Sequence, residues 1–226
     1  MQNNLSVPKE FNTRFFDRMK LNGLVFHNII DVGAYKGNWT KKTKESYPDA
    51  NYYLIDANDQ FKEELNKLGT FYCEVLSEKG GEREFYNSLD KNNNTGSSLY
   101  AENSNVNFDK IIKHTKRLID VVPSDVTFDF IKMDVQGAEL EIIEGSLDLF
   151  LKTKFVQLEC PVHPNNVGAP LFEHYINYMA NSNFKVFDID TIFFNNKLMV
   201  LDFLFVNTLL PKASSLESQT LIYNKL

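Results

Sequence analysis

The stretch Ile29-Ile30-Asp31-Val32-Gly33-Ala34-Tyr35-Lys36-Gly37 constrains this chain more than any other. Short apolar residues run into an acid, then into a turn with two glycines, then into Asn38 and a helix-like segment. A parallel strand enters a nucleotide-binding turn of an open α/β sheet in this way. The carboxylate narrows the ligand. Asp31, just ahead of the first glycine, would repel a pyrophosphate and welcome positive charge near a ribose.

A chain of 226 residues, 43 % of them hydrophobic, suits one α/β domain with some decoration. We expect a single domain over 1–226: a helical extension at 1–24, a core over about 25–210 and a polar tail at 211–226. The net charge of −6 implies no broad basic surface for nucleic acid. No apolar run approaches the ~20 residues of a membrane-spanning helix. Residues 1–11 carry no secretory pattern. Cys73 and Cys160 lie in apolar, strand-like runs and read as buried, reduced thiols. A cytoplasmic protein with no membrane partner is expected, its oligomeric state open.

Periodicity then sets the elements. Residues 8–21 read as an N-terminal helix packing Phe11, Phe15 and Phe16. Strands are expected at 27–32, 51–55, 71–76, 127–133, 154–158, 184–189 and 198–207, the last two paired antiparallel. Helices are expected at 38–46, 60–68, 138–150 and 171–179, with Asp59 capping the second and Gly69 closing it. After strand three the alternation breaks: 82–87 reads as an extra strand, 89–105 as a long polar loop and 115–122 as a short strand.

In such sheets the ligand lies beyond the carboxyl ends of the strands. Those ends here are Asp31, Asp56, Leu76-Ser77, Asp134 and Glu159, four of the five carrying a carboxylate. Asp56 stands where an acid accepts bonds from both ribose hydroxyls of an adenosine cofactor. S-adenosylmethionine brings an ammonium and a sulfonium to such a rim, whereas NAD brings phosphates.

These residues resemble a known family. Asp31–Gly37 resembles motif I of class I S-adenosylmethionine-dependent methyltransferases, and Phe130-Ile-Lys-Met-Asp-Val-Gln-Gly-Ala-Glu-Leu140 resembles the diagnostic stretch of the FkbM-type family. The Leu76-Ser77-Glu78-Lys79-Gly80 turn, the Gly96-Ser97-Ser98-Leu99 loop and Leu158-Glu159 fit the same family in order and spacing. The resemblance implies a Rossmann-like α/β fold: a seven-stranded, mostly parallel sheet with helices on both faces and a hairpin or loop insertion after strand three. It implies O-methyl transfer to a hydroxyl of a saccharide or other natural product. By position it places Asp31, Gly33, Ala34, Tyr35 and Gly37 around the methionine moiety, Asp56 and Ala57 at the ribose, Leu76 and Ser77 near adenine, and Asp134 beside the methyl group. Where the family commonly has glutamate–proline after strand two, this chain has Asp56-Ala57, a shorter reach to the ribose.

Methyl transfer to a hydroxyl requires alignment and a home for the proton. Asp134, Glu159 and His163 are the candidate bases, and Lys132, on the face of Asp134, is a candidate to hold a carboxylate ionised or steady an alkoxide. Asp134 and Glu159 could also hold Mg²⁺, although no compact ligand motif favours a metal. Glu139 opens a helix and either orients backbone amides or substrate, or stabilises the helix start. The rivals are an NAD-type oxidoreductase, against which stands alanine in place of the second glycine of G-x-G-x-x-G, and a non-catalytic nucleotide-binding protein. A nucleic-acid acceptor is disfavoured by the acidic balance. Residues 89–105 and 161–170 are expected to select the acceptor.

Overall fold

A computed structural model describes residues 16–17, 19–20, 23–89, 96–103 and 107–210. The expected N-terminal helix falls largely outside them, Phe11 and Phe15 included; Phe16, Asp17, Met19 and Lys20 are helical. The tail at 211–226 also lies outside the described residues. In chain order the elements are β1 (Asn28–Val32), α1 (Asn38–Ser46), β2 (Asn51–Asp56), α2 (Lys62–Asn66), β3 (Thr70–Cys73), β4 (Val75–Leu76), β5 (Gly81–Ser88), β6 (Phe108–Lys116) and α3 (Leu118–Val121). There follow β7 (Phe130–Met133), α4 (Glu139–Gly145), α5 (Leu147–Phe150), β8 (Phe155–Pro161), α6 (Phe172–Asn181), β9 (Phe184–Phe194) and β10 (Lys197–Asn207).

The main sheet has seven strands in the order β3-β2-β1-β7-β8-β10-β9. All pairings are parallel up to β8, and β10 runs antiparallel to both β8 and β9. Strand order reverses between β1 and β7, so a crevice opens above their carboxyl ends. Alternation explains the two cores. Ile30, Ile131 and Val156 face a layer containing Phe150, Tyr175 and Met179, while Ile29, Phe130 and Phe155 face Phe16, Met19, Tyr47 and Leu65. Each fully buried aromatic contributes roughly 1.5–3 kcal/mol.

On that second face the rows change character toward the carboxyl edge. Ile29, Phe130 and Phe155 are register partners and apolar; two residues on, the partners are Asp31, Lys132 and Gln157. One row further, Glu159 stands opposite Asp202, and Asp202 opposite Asp190. The face turns from aromatic to charged within two pleats.

Several expected elements shift. Strand three divides at Glu74, β3 staying in the main sheet and β4 joining a three-stranded sheet of order β4-β6-β5. The Lys116 ammonium, 2.6 Å from Glu74 Oε1, ties that break to β6. The strand expected at 115–122 is instead the end of β6 followed by α3; β6 begins at Phe108, just beyond the loop expected at 89–105. The helix expected over 138–150 is two helices, because Ser146 turns its hydroxyl to accept the amide of Ile119. A 3-10 turn, Asp59–Phe61, precedes α2, and Asn58, not Asp59, caps that turn by accepting the amide of Gln60 at 2.9 Å; α2 itself has no side-chain cap. Cys160 is buried as expected, but Cys73 ends an edge strand and is exposed. No described helix is long and apolar enough to cross a membrane.

Opposite the crevice, Asp129 fastens the strand starts. Its carboxylate accepts the amides of His27 (2.7 Å) and Asn28 (3.3 Å) and the ammonium of Lys154 (2.9 Å). Replacing Asp129 with alanine leaves those donors without their partner, and should lower stability by about 2–4 kcal/mol in urea titration with an unchanged m-value.

Candidate functional site

The turn after β1 closes on its neighbours. The amides of Gly33 and Ala34 both donate to the Ile55 carbonyl, at 2.9 and 3.1 Å. Gly33 has φ +73°, and a methyl group there would overlap the Asp134 carbonyl oxygen. Gly37 has φ +70° at the start of α1, with Leu68 pressed against it. Only glycine meets both demands at these two positions.

Asp56, ending β2, accepts the Tyr35 amide (2.8 Å) on one oxygen and the Asn58 amide (2.9 Å) on the other. It thereby fixes the backbone on both sides of a cleft, and a carboxylate with about four acceptor sites keeps two for a ligand. Burial pushes its pKa up, with the two amides pulling the other way. The cleft has a volume of about 460 Å³ and is lined by Gly33, Tyr35, Asp56, Ala57, Leu76 and Asp134 among the expected residues. Ile55, Val75, Phe85, Leu99, Ile111 and Ile142 add apolar wall. Size and lining suit a nucleoside-bearing ligand.

Asp31, Ala34 and Gly37 do not line the cleft; they are buried behind it. Asp31 accepts the Thr40 hydroxyl at 2.7 Å, and its other oxygen lies 3.2 Å from the Lys132 ammonium, an ion pair without hydrogen-bond alignment. Lys132 also donates to the Gly33 carbonyl (3.1 Å) and stands 3.7 Å from Asp134. Burial works against its charge, but the carboxylates of Asp31, Asp134 and Glu159 outweigh it and hold Lys132 above its ordinary range. Ser77 is fully buried, its hydroxyl donating to the Lys79 carbonyl, outside the cleft lining.

A second cavity of about 240 Å³ adjoins the first on the α1 side. It is lined by Trp39, Lys132, Asp134, Gln157, Glu159 and Asp202, with Asn38, Lys42, Met133 and Ile192. Asp134 is common to both cavities. The Gln136 side-chain amide donates to Asp134 (2.8 Å) and Glu159 (2.9 Å), bridging the two acids. Burial, then the Asp134 charge, pushes Glu159 well above the usual carboxylate range. Asp202 is raised to about 7 by burial and by Asp134, against the pull of Lys132. His163 is half-buried and lines neither cavity. Among the described residues no group of three or more His, Cys, Asp or Glu side chains is arranged to hold a metal ion.

Gln136 and Asp202 were not singled out from sequence. The signal for Asp202 was present, as the one acid interrupting the apolar run at 198–206.

Comparison with known proteins agrees with this architecture. Residues 31–186 match the methyltransferase FkbM domain. Magnesium protoporphyrin IX methyltransferase from Synechocystis PCC 6803, solved with bound S-adenosylmethionine, superposes with a TM-score of 0.52 at 10 % identity, covering 87 % of this chain and 78 % of that one. Precorrin-6y C5,15-methyltransferase from Geobacter metallireducens gives 0.52 at 11 % identity over 92 % and 93 %. An S-adenosylmethionine-dependent methyltransferase from Clostridium acetobutylicum gives 0.53 at 10 % identity over 87 % and 90 %. At such identities the likeness speaks for the fold. No curated protein sequence matches this chain.

The raised pKa of Asp202 has a consequence for stability. Its folded value of about 7 exceeds the ordinary 3.8, so the folded chain holds a proton the unfolded chain releases, and stability falls as pH rises from about 4 through 7. Asp202→Asn removes that loss. In denaturant titrations it should be more stable than wild type at pH 8 by roughly 1–3 kcal/mol, with the gap shrinking toward pH 4.

Proposed function

We propose that this chain, which belongs to the FkbM family of S-adenosylmethionine-dependent methyltransferases, methylates a hydroxyl of a saccharide or glycosylated metabolite. The shared wall at Asp134 carries the proposal: a cleft of nucleoside size on one side and a small polar cavity on the other meet at one carboxylate. When bound, S-adenosylmethionine supplies a methyl group on a cationic sulfur. Gly33, Tyr35, Asp56, Ala57 and Leu76 hold the cofactor in the larger cleft, Asp56 through its two remaining acceptor sites. Asp31, Ala34, Gly37 and Ser77 act from behind by shaping the loops.

The acceptor occupies the smaller cavity. Hydroxyl groups suit its wall, since Glu159, Asp202 and Gln157 offer acceptors and Asn38 and Lys42 offer donors. A phosphate-rich acceptor does not: Lys132 is already matched by Asp31 and Asp134, leaving the acids in excess. The Lys132 ammonium stands 3.7 Å from the Asp134 carboxylate and balances its charge. Glu159 takes the proton of the acceptor hydroxyl as that oxygen gains the methyl group; its raised pKa brings it toward the range of an effective base. His163, outside both cavities, is not needed for this step.

Calorimetry should register S-adenosylhomocysteine and not NADH. With ¹³C-methyl-labelled cofactor and a panel of neutral methyl glycosides, the product should be a methyl ether by NMR; an N-methyl product, or labelling of RNA in place of glycosides, would contradict the proposal. Against an acceptor so found, Glu159→Gln should lower kcat by roughly 10²- to 10⁴-fold. Its S-adenosylhomocysteine affinity should stay near that of wild type.

A further inference from the structure

The loop between β7 and α4, residues 134–137, is gripped from both sides by buried side chains. On one side the Glu139 carboxylate accepts the amides of Val135 (2.8 Å) and Gly137 (3.0 Å), and the Tyr175 hydroxyl of α6 donates to it at 2.6 Å. On the other, the Ser98 hydroxyl lies 3.1 Å from the Val135 carbonyl and 2.9 Å from that of Gln136, sharing its one hydrogen between them. Ser98 is itself held, accepting the Tyr100 amide at 3.1 Å. Glu139 and Tyr175 are fully buried and Ser98 nearly so.

The grip has something to hold against. Gln136 sits at φ +57°, a conformation that persists in a non-glycine residue only when its surroundings over-determine it. That residue carries the amide bridging Asp134 and Glu159. The segment bearing Ser98 is anchored in turn: the Asn103 amide donates to the Asn165 carbonyl (2.6 Å) and the Val167 amide to the Ala101 carbonyl (2.7 Å). Gly96, Ser97, Ser98 and Leu99 meanwhile line the larger cleft. One short segment thus touches the cofactor cleft and the loop of Asp134 together.

We propose that Ser98 and Glu139, backed by Tyr175, are positioning residues that set the Asp134 carboxylate against the cofactor's cationic sulfur. This rests on the proposed function, read with the methyl-bearing sulfur at Asp134, where the two cavities meet. Neither side chain contacts the reacting atoms. Each acts through the backbone of residues 135–137, and releasing either lets Gln136 relax and Asp134 move with it.

The test needs no acceptor. S-adenosylmethionine and S-adenosylhomocysteine differ in the charge at sulfur, so the ratio of their dissociation constants reads the field at that atom. A carboxylate moving from about 4 to about 5 Å from a unit charge, at an effective dielectric near 20, changes the ratio roughly fourfold. Calorimetry on the full chain should show Ser98→Ala and Glu139→Gln losing about that much preference for the charged ligand, S-adenosylmethionine affinity falling more than that of S-adenosylhomocysteine. Ser98→Thr, which keeps the hydroxyl, should restore much of it, and Asp134→Asn should shift the ratio at least as far. A purely structural role would lower Tm and weaken both ligands alike. An unchanged ratio in Ser98→Ala and Glu139→Gln, with Asp134→Asn shifted, overturns the positioning role alone; should Glu139→Gln fail to fold, Ser98→Ala decides. If wild type binds neither ligand, or Asp134→Asn leaves the ratio unmoved, the sulfur's placement fails and the positioning role with it.

Discussion

The buried ammonium of Lys132 is the constraint around which the upper half of the sheet is arranged. It stands between Asp31 on β1 and Asp134 after β7, and donates to the Gly33 carbonyl. A cation in that position is tolerable only if its partners stay in place, since losing one member of a buried pair costs about 3–5 kcal/mol. One side chain therefore fixes the register of β1 against β7, the start of the glycine turn and the carboxylate at the crevice. Asp31, expected beside the methionine moiety, has its charge matched by Lys132 inside the protein and stands behind the cleft lining.

The change of rows across the sheet explains why the crevice is at this edge. Parallel strands buried on both faces are apolar along their length. Here Phe130-Ile131-Lys132-Met133-Asp134 and Phe155-Val156-Gln157-Leu158-Glu159 stay apolar on one face and turn polar on the other as they reach their carboxyl ends. Buried polar groups persist where they have partners. Asp31 has Thr40 and Lys132, Gln157 has Trp39, and Glu159 has Gln136, while Asp202 has no carboxylate hydrogen bond among the described residues. The bonds that exist bind the edge into one network, and the open acceptor belongs to the smaller cavity.

Much of this was legible in the residues. The glycine turn, the acids ending the strands, the seven main strands and the antiparallel pair at the end follow from alternation and turn chemistry, which are local. What was missed depends on distant partners. Where strand three divides, Glu74 is paired with Lys116 of β6, and β6 itself is held by β5 beside it in the second sheet. Asn58 outcompeted Asp59 as the cap by one position, within the usual uncertainty of helix starts. Asp202 entered the site because β10 lies between β8 and β9, a strand order that no local pattern encodes. Ser98 and Glu139 sat inside recognisable motifs, but that they face each other across one loop is a fact of three dimensions.

The central claim is that a cationic methyl donor docks with its sulfur at Asp134, where the two cavities meet. A crystal structure of the full chain with S-adenosylhomocysteine tests it most directly. The account predicts the adenosine in the larger cleft with its ribose on Asp56, the thioether sulfur facing Asp134, and Lys132 still bridging Asp31 and Asp134. A ligand lying across the smaller cavity, or one whose sulfur points away from Asp134, would contradict it.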